Sequence, residues 1–190
     1  VEYLMKLDKN LNLVVPIETE AGTVHVHSMP IRRETFEQFF LVLSKTLNSI
    51  YTEGLQNVIG PRIAALMLRE QARNIGISDE KLAELFDEIR RLSNAYVRTA
   101  DGWQQVGLAN CVLRGYLTED EMREAEGFIV FFTCIWHIHR KHEVLSFLQP
   151  MKDLWDVQTT SLNATAYRDS LPTLTEIETS EPLPPSSIPM

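Results

Sequence analysis

Within the first thirty residues, short β-prone pieces at residues 1–5, 13–15 and 23–27 alternate with turn-forming stretches at residues 8–10 and 18–22. This pattern predicts a small hairpin or meander, closed by Pro30. From Arg33 the apolar period changes from 2 to 3.6, with Phe36, Phe39, Phe40, Leu43, Leu47 and Ile50 on one helical face. Gly54 and Gly60 bracket a connection, and Pro61 stands where a first helical turn tolerates it, ahead of Ile63, Leu66, Met67 and Leu68. Gly76 ends that helix. Ser78-Asp79-Glu80 then caps another, whose stripe is Leu82, Leu85, Phe86, Ile89, Leu92 and Tyr96.

Residues 99–107 have the look of a loop, and residues 108–117 of one short helix or a strand. Thr118 and Glu121 have capping-box spacing. The helix they open carries Met122, Ala125, Ile129, Phe132 and Trp136, is expected to run to about Leu148, and is stopped by Pro150. Its middle is apolar nearly all round, so other helices should surround it. A last amphipathic segment, residues 151–155, precedes a stretch rich in Ser, Thr, Pro and Glu. Such a stretch buries too little apolar surface to offset its ordering entropy.

The expected fold is therefore α+β and predominantly helical. It comprises a β-hairpin or meander appendage at 1–29, a body of four to five helices at 30–157, and a disordered, flexible C-terminal tail at 158–190. A chain of 190 residues is long enough for one core plus such a tail.

The net charge of −8 argues against nucleic acid or an anionic membrane as a partner, since the basic residues are scattered apart from Arg32-Arg33 and Arg140-Lys141-His142. Cys111 and Cys134 sit among apolar neighbours and are expected as reduced, buried thiols in a cytosolic protein. Residues 1–5 lack the basic and apolar regions of a secretory signal. The longest apolar run, residues 128–136, is about half the ~20 residues needed to cross a bilayer.

Candidate chemistry is sparse. Cys134, His137, His139, His142 and Glu143 have the residue types of a transition-metal site, which would make the chain a metal-dependent enzyme using His137, His139 and His142. On one helix, however, the pairs Cys134/His137 and His139/His142 face different sides. His25 and His27 share a strand face but lack a third ligand. Glu119, Asp120, Glu121, Glu124 and Glu126 lie where a helix N-terminus favours acids. No phosphate loop, nucleophile elbow, C-x-x-C or H-E-x-x-H pattern occurs. Accordingly no catalytic residue, cofactor or metal is expected, and the chain reads as an interaction protein. Apolar stripes in excess of one core become an oligomer face or a groove for a partner helix. A small helical regulatory adaptor would share these features.

Two stretches narrow this. Residues 126–133 (EGFIVFFT) resemble the central apolar helix of the tail-assembly chaperones of long-tailed bacteriophages, and residues 61–67 (PRIAALM) fit that family too. Residues 159–172 (TTSLNATAYRDSLP) are similar to the family's C-terminal ends, with their S-x-N-x-T-x-[YF]-x-x-S-L-P pattern. The resemblance implies a protein of the host cell cytoplasm that coats the tape-measure protein and recruits tail-tube subunits around it. Many of the family are made in two lengths, the longer by ribosomal frameshift. It further implies that the helical body meets the tape-measure protein and that the flexible end meets tube subunits. Trp155, Leu162, Asn163, Thr165, Tyr167 and Leu171 are the expected partner contacts.

Overall fold

Two hairpins of the same build organise the β layer of the computed structural model, which describes residues 11–172. Strands β1 (Asn12–Thr19) and β2 (Gly22–Ser28) pair with Thr19 opposite Gly22, while β3 (Ser93–Thr99) and β4 (Gly102–Gly107) pair with Thr99 opposite Gly102. Each is a two-residue turn followed by glycine at positive φ, 115° at Gly22 and 110° at Gly102, a backbone that side chains resist. Each is also locked by the threonine hydroxyl donating to the glycine carbonyl, at 2.6 Å and 2.8 Å. A three-residue strand, β5 (Gln158–Thr160), adds to β1, giving an antiparallel sheet in the order β4-β3-β2-β1-β5.

This corrects the expected fold class. The N-terminal β-hairpin is half of the core of a five-stranded sheet, because residues 93–107, expected as a helix end and a loop, form the second hairpin against β2. Tyr96 accordingly lies on a strand, and the helix before it ends at Arg91. Residues 158–172, expected within the flexible tail, supply β5 and a short helix; the rest of that tail, and the β-prone piece at 1–5, lie outside the described residues.

Six helices accompany the sheet among the described residues: α1 (Arg33–Thr52), α2 (Gln56–Asn74), α3 (Asp79–Arg91), α4 (Glu119–Trp136), α5 (Lys141–Trp155) and α6 (Ala164–Ser170). Helix α2 begins before Gly60, so Pro61 lies inside it rather than at its first turn. The expected long helix to Leu148 is two helices. His137 donates through Nε2–H to the Ile31 carbonyl (2.9 Å), Arg140 is extended, and its N–H donates to the Glu143 carboxylate (2.7 Å), which starts α5. Pro150 lies within α5 rather than ending it. The two expected caps form: Ser78 accepts from Lys81 N–H, and Thr118 with Glu121 makes a reciprocal capping box.

Helices α1–α5 gather on one side of the sheet, with α4 packed on β1 and α3 on β3, and share one core with Leu13, Val15, Ile17, Val26 and Ala95. Helix α4 lies at the centre of this layer, buried from Ala125 to Ile135, as its all-round apolar sequence predicts. Its closest neighbour is α2. A methyl group on Gly127 would strike the Arg62 carbonyl oxygen and lie 2.8 Å from that of Pro61, so only glycine permits this approach. One residue earlier, Glu126 is 2% exposed and held by two arginines, Arg69 at 3.2 Å and Arg90 at 2.7 Å. Far from merely complementing a helix dipole, Glu126 ties α4 to α2 and α3.

Candidate interaction surface

Strand alternation sends a second set of side chains to the face away from α1–α5. His25 and His27 of β2 stand beside Tyr96 of β3, Val14 of β1 and Trp103 of β4 on that face, following the register His25↔Tyr96 and Val14↔His27. Residues 161–172 cross this face and are gripped mainly by their own carbonyls. The Leu162 carbonyl accepts from Asn12 Nδ2 and from His27 Nε2–H, both at 3.0 Å. Tyr96 donates its hydroxyl to the Ala164 carbonyl at 2.7 Å, and the Trp103 indole N–H reaches the Pro172 carbonyl at 2.8 Å. Between these latches Tyr167 is buried, its ring centroid 5.5 Å from that of His27 and 5.2 Å from that of Tyr96. Asn163 caps α6 by accepting from Ala166 N–H at 2.9 Å.

Five of the six expected contact residues thus belong to this docked segment, in different positions. Tyr167 faces the sheet, Leu171 packs half-buried beside the same cluster, and Asn163 is spent on the cap. Leu162 and Thr165 face solvent. Trp155 stands apart, at the end of α5, packed edge-on against Phe128 with the Arg62 guanidinium 5.0 Å over its ring. It borders a separate cleft of about 380 Å³ that also includes Glu18, His25, Glu124 and Asp156. The gripping residues Asn12, Tyr96 and Trp103 were not visible as site residues in the sequence, because each lies on a strand far along the chain from the segment it holds. His27 was visible only as half of an incomplete metal pair.

The other candidate chemistry disperses. His137 is engaged by Ile31 and stacks on Phe36, with ring centroids 4.8 Å apart, while His139 packs on Phe147 and lies 3.8 Å from Glu143. Among the described residues no three His, Cys, Asp or Glu side chains are grouped to hold a metal ion. Cys111 and Cys134 are free and buried, and burial pushes their thiols up to about 11 and about 12, away from the reactive thiolate.

A second surface lies on the helical side. The short connection through Gly54, at φ 72°, folds α2 back along α1. Phe40 and Leu41 of α1 and Val58, Ile59 and Leu66 of α2 are each 50–64% exposed. Ile59 and Leu66 are seven residues apart and so share one side of α2, opposite the buried Ala64, Ala65 and Leu68. Comparison of the chain with family models, curated proteins and solved structures finds no match. Among the described residues no helix is long and apolar enough to cross a membrane.

The docked segment should respond to acid. Burial holds His27 below its ordinary value, outweighing the Leu162 carbonyl, which favours the protonated ring. A depressed histidine stabilises nothing extra at neutral pH. As pH falls below the ordinary value near 6.5 the undocked ring gains its proton first, so docking weakens until the docked ring also titrates. His25, on the same face, is likewise lowered by burial, partly offset by Glu18 and Asp156, while the Tyr96 and Tyr167 phenols around His27 are raised by burial and stay neutral. Amide exchange at Ala166 and Tyr167 should therefore gain open population between pH 7 and pH 5, beyond the intrinsic pH effect. His27→Gln should remove most of that gain.

Proposed function

We propose that this chain is a tail-assembly chaperone of a long-tailed bacteriophage, acting in the host cell cytoplasm to coat the tape-measure protein and recruit tail-tube subunits. The observation that carries the reading is the set of large apolar side chains that the α1–α2 hairpin leaves in water, Phe40, Leu41, Val58, Ile59 and Leu66. Scattered surface leucines are ordinary, but aromatic and branched residues repeated along two packed helices suit a partner's apolar helix. The likeness of residues 61–67, 126–133 and 159–172 to the chaperone family supports the choice of partner.

On this reading the division of labour follows the two surfaces. The tape-measure protein lies along α1–α2. The tube subunit meets the C-terminal segment as a shaped β5–α6 unit, through its outward residues Leu162 and Thr165, rather than as a loose arm. Co-expression with the tape-measure protein of the same genome tests the first half. The wild-type chain should co-purify with it, and the double variant Ile59→Asp/Leu66→Asp should lose at least tenfold of that yield while keeping its helical circular dichroism. Undiminished co-purification by the folded double variant would remove the hairpin from the mechanism, and absence of co-purification by wild type would remove the proposal.

A further inference from the structure

We infer that the far face of the sheet is a docking groove for an asparagine-capped, tyrosine-anchored helical turn, and that residues 161–172 are an exchangeable occupant, replaceable by the same segment of a second copy of this chain. The inference stands independently of the tape-measure reading, because it uses only the opposite face of the molecule.

Four observations carry it. The grip is directed at main-chain carbonyls: Leu162, Ala164 and Pro172 each accept from a side chain of the sheet, so the groove holds a backbone shape. One side chain, Tyr167, provides the buried anchor, while Leu162 remains 39% exposed. Helix α6 has seven residues, too few to persist away from the sheet, so releasing the segment and melting the helix are one event. Finally, His27 Nδ1 is buried without a hydrogen-bond partner while the segment is docked, so the docked state carries a desolvation cost of its own.

Separate clefts adjoin both ends of the docked segment. A cleft of about 360 Å³ opens at the Ser161–Asn163 end, bordered by Asn12, Met29 and Trp136. Another of about 430 Å³ opens at the Leu171 end, bordered by Asp101, Trp103 and Arg168. Ser161, exposed between β5 and the cap, is the natural pivot, since β5 can stay paired to β1 while the segment beyond it leaves.

The test uses the full chain and a fluorescent peptide of sequence SLNATAYRDSLP, matching residues 161–172. In wild type the groove is occupied, so the peptide should bind weakly by anisotropy. Asn163→Ala removes only the exposed cap. It should tighten peptide binding about fivefold, the population change that follows from losing a typical N-cap. Tyr167→Ala, which empties the anchor site, should tighten it by at least tenfold. A control peptide with its tyrosine replaced by alanine should bind none of the three. Equal affinity for wild type and the folded Asn163→Ala chain overturns the inference, as does equal binding of the alanine peptide. If Tyr167→Ala fails to fold, the Asn163→Ala comparison decides alone.

Discussion

Gly127→Ala should destabilise the protein by about 2–3 kcal/mol, the usual scale of overpacking, and lower its Tm by roughly 5–10 °C for a chain of this size. The sign is what makes the substitution informative. In an exposed helix alanine is favoured over glycine by about 1 kcal/mol, so helix propensity alone would raise the Tm. Here the new methyl group meets the backbone carbonyls of Pro61 and Arg62, and backbone cannot rotate aside as a side chain does. Helix α2 must move off α4, disturbing the layer that supports the exposed α1–α2 hairpin. Calorimetry of wild type and variant checks this, and a Tm that rises would mean that α2 and α4 are not in this contact.

Arg90→Ala should cost about 3 kcal/mol, at the low end for breaking a buried ion pair because Arg90 itself is partly exposed. Its guanidinium supplies the shortest contacts to Glu126, 2.7 Å from Nη2 and 2.8 Å from Nε, and without it a carboxylate that is 2% exposed retains only Arg69. The exposed pair Arg33–Glu37, also short at 2.8 Å, is the control: Arg33→Ala should cost only about 0.3–0.5 kcal/mol, since water solvates both ends. Adding Glu126→Gln to Arg90→Ala should recover part of the loss by removing the stranded charge. Urea unfolding of the three variants reads all of this. A double variant weaker than Arg90→Ala alone would show that the arginine matters through packing on Phe86 instead of charge.

The helices were legible because their information is local. Apolar spacing, the Ser78 cap and the Thr118–Glu121 box each act within a few residues. The sheet was not, since its partners lie far apart: β2 finds β3 only after three intervening helices, and β5 reaches β1 from the other end of the chain. Strand β1 is buried on both sides, by α4 and by α6, so Leu13, Val14 and Val15 show no alternation that would reveal a two-faced strand. The second hairpin did carry a signal in Asp101-Gly102 after the β-prone Tyr96-Val97, but a helical stripe ending at Tyr96 fits the same letters.

The candidate site was half legible for a related reason. The polar composition of residues 159–172 is ordinarily that of an unfolded chain, because composition counts side chains. This segment is held chiefly through main-chain carbonyls, with Tyr167 as its one buried anchor, and no composition reports that. Glu126 shows the converse. In the sequence it is one more acid near a helix start, and its two arginine partners stand 57 and 36 residues away.

Amide hydrogen exchange of the full chain, alone and with the proposed tape-measure partner, locates binding on the α1–α2 hairpin element by element. Protection should increase along α1 and α2 around Phe40, Leu41, Ile59 and Leu66 when that partner is added, with the α6 amides unchanged. Protection confined to other elements, or unchanged exchange on the hairpin at saturating partner, would contradict binding there.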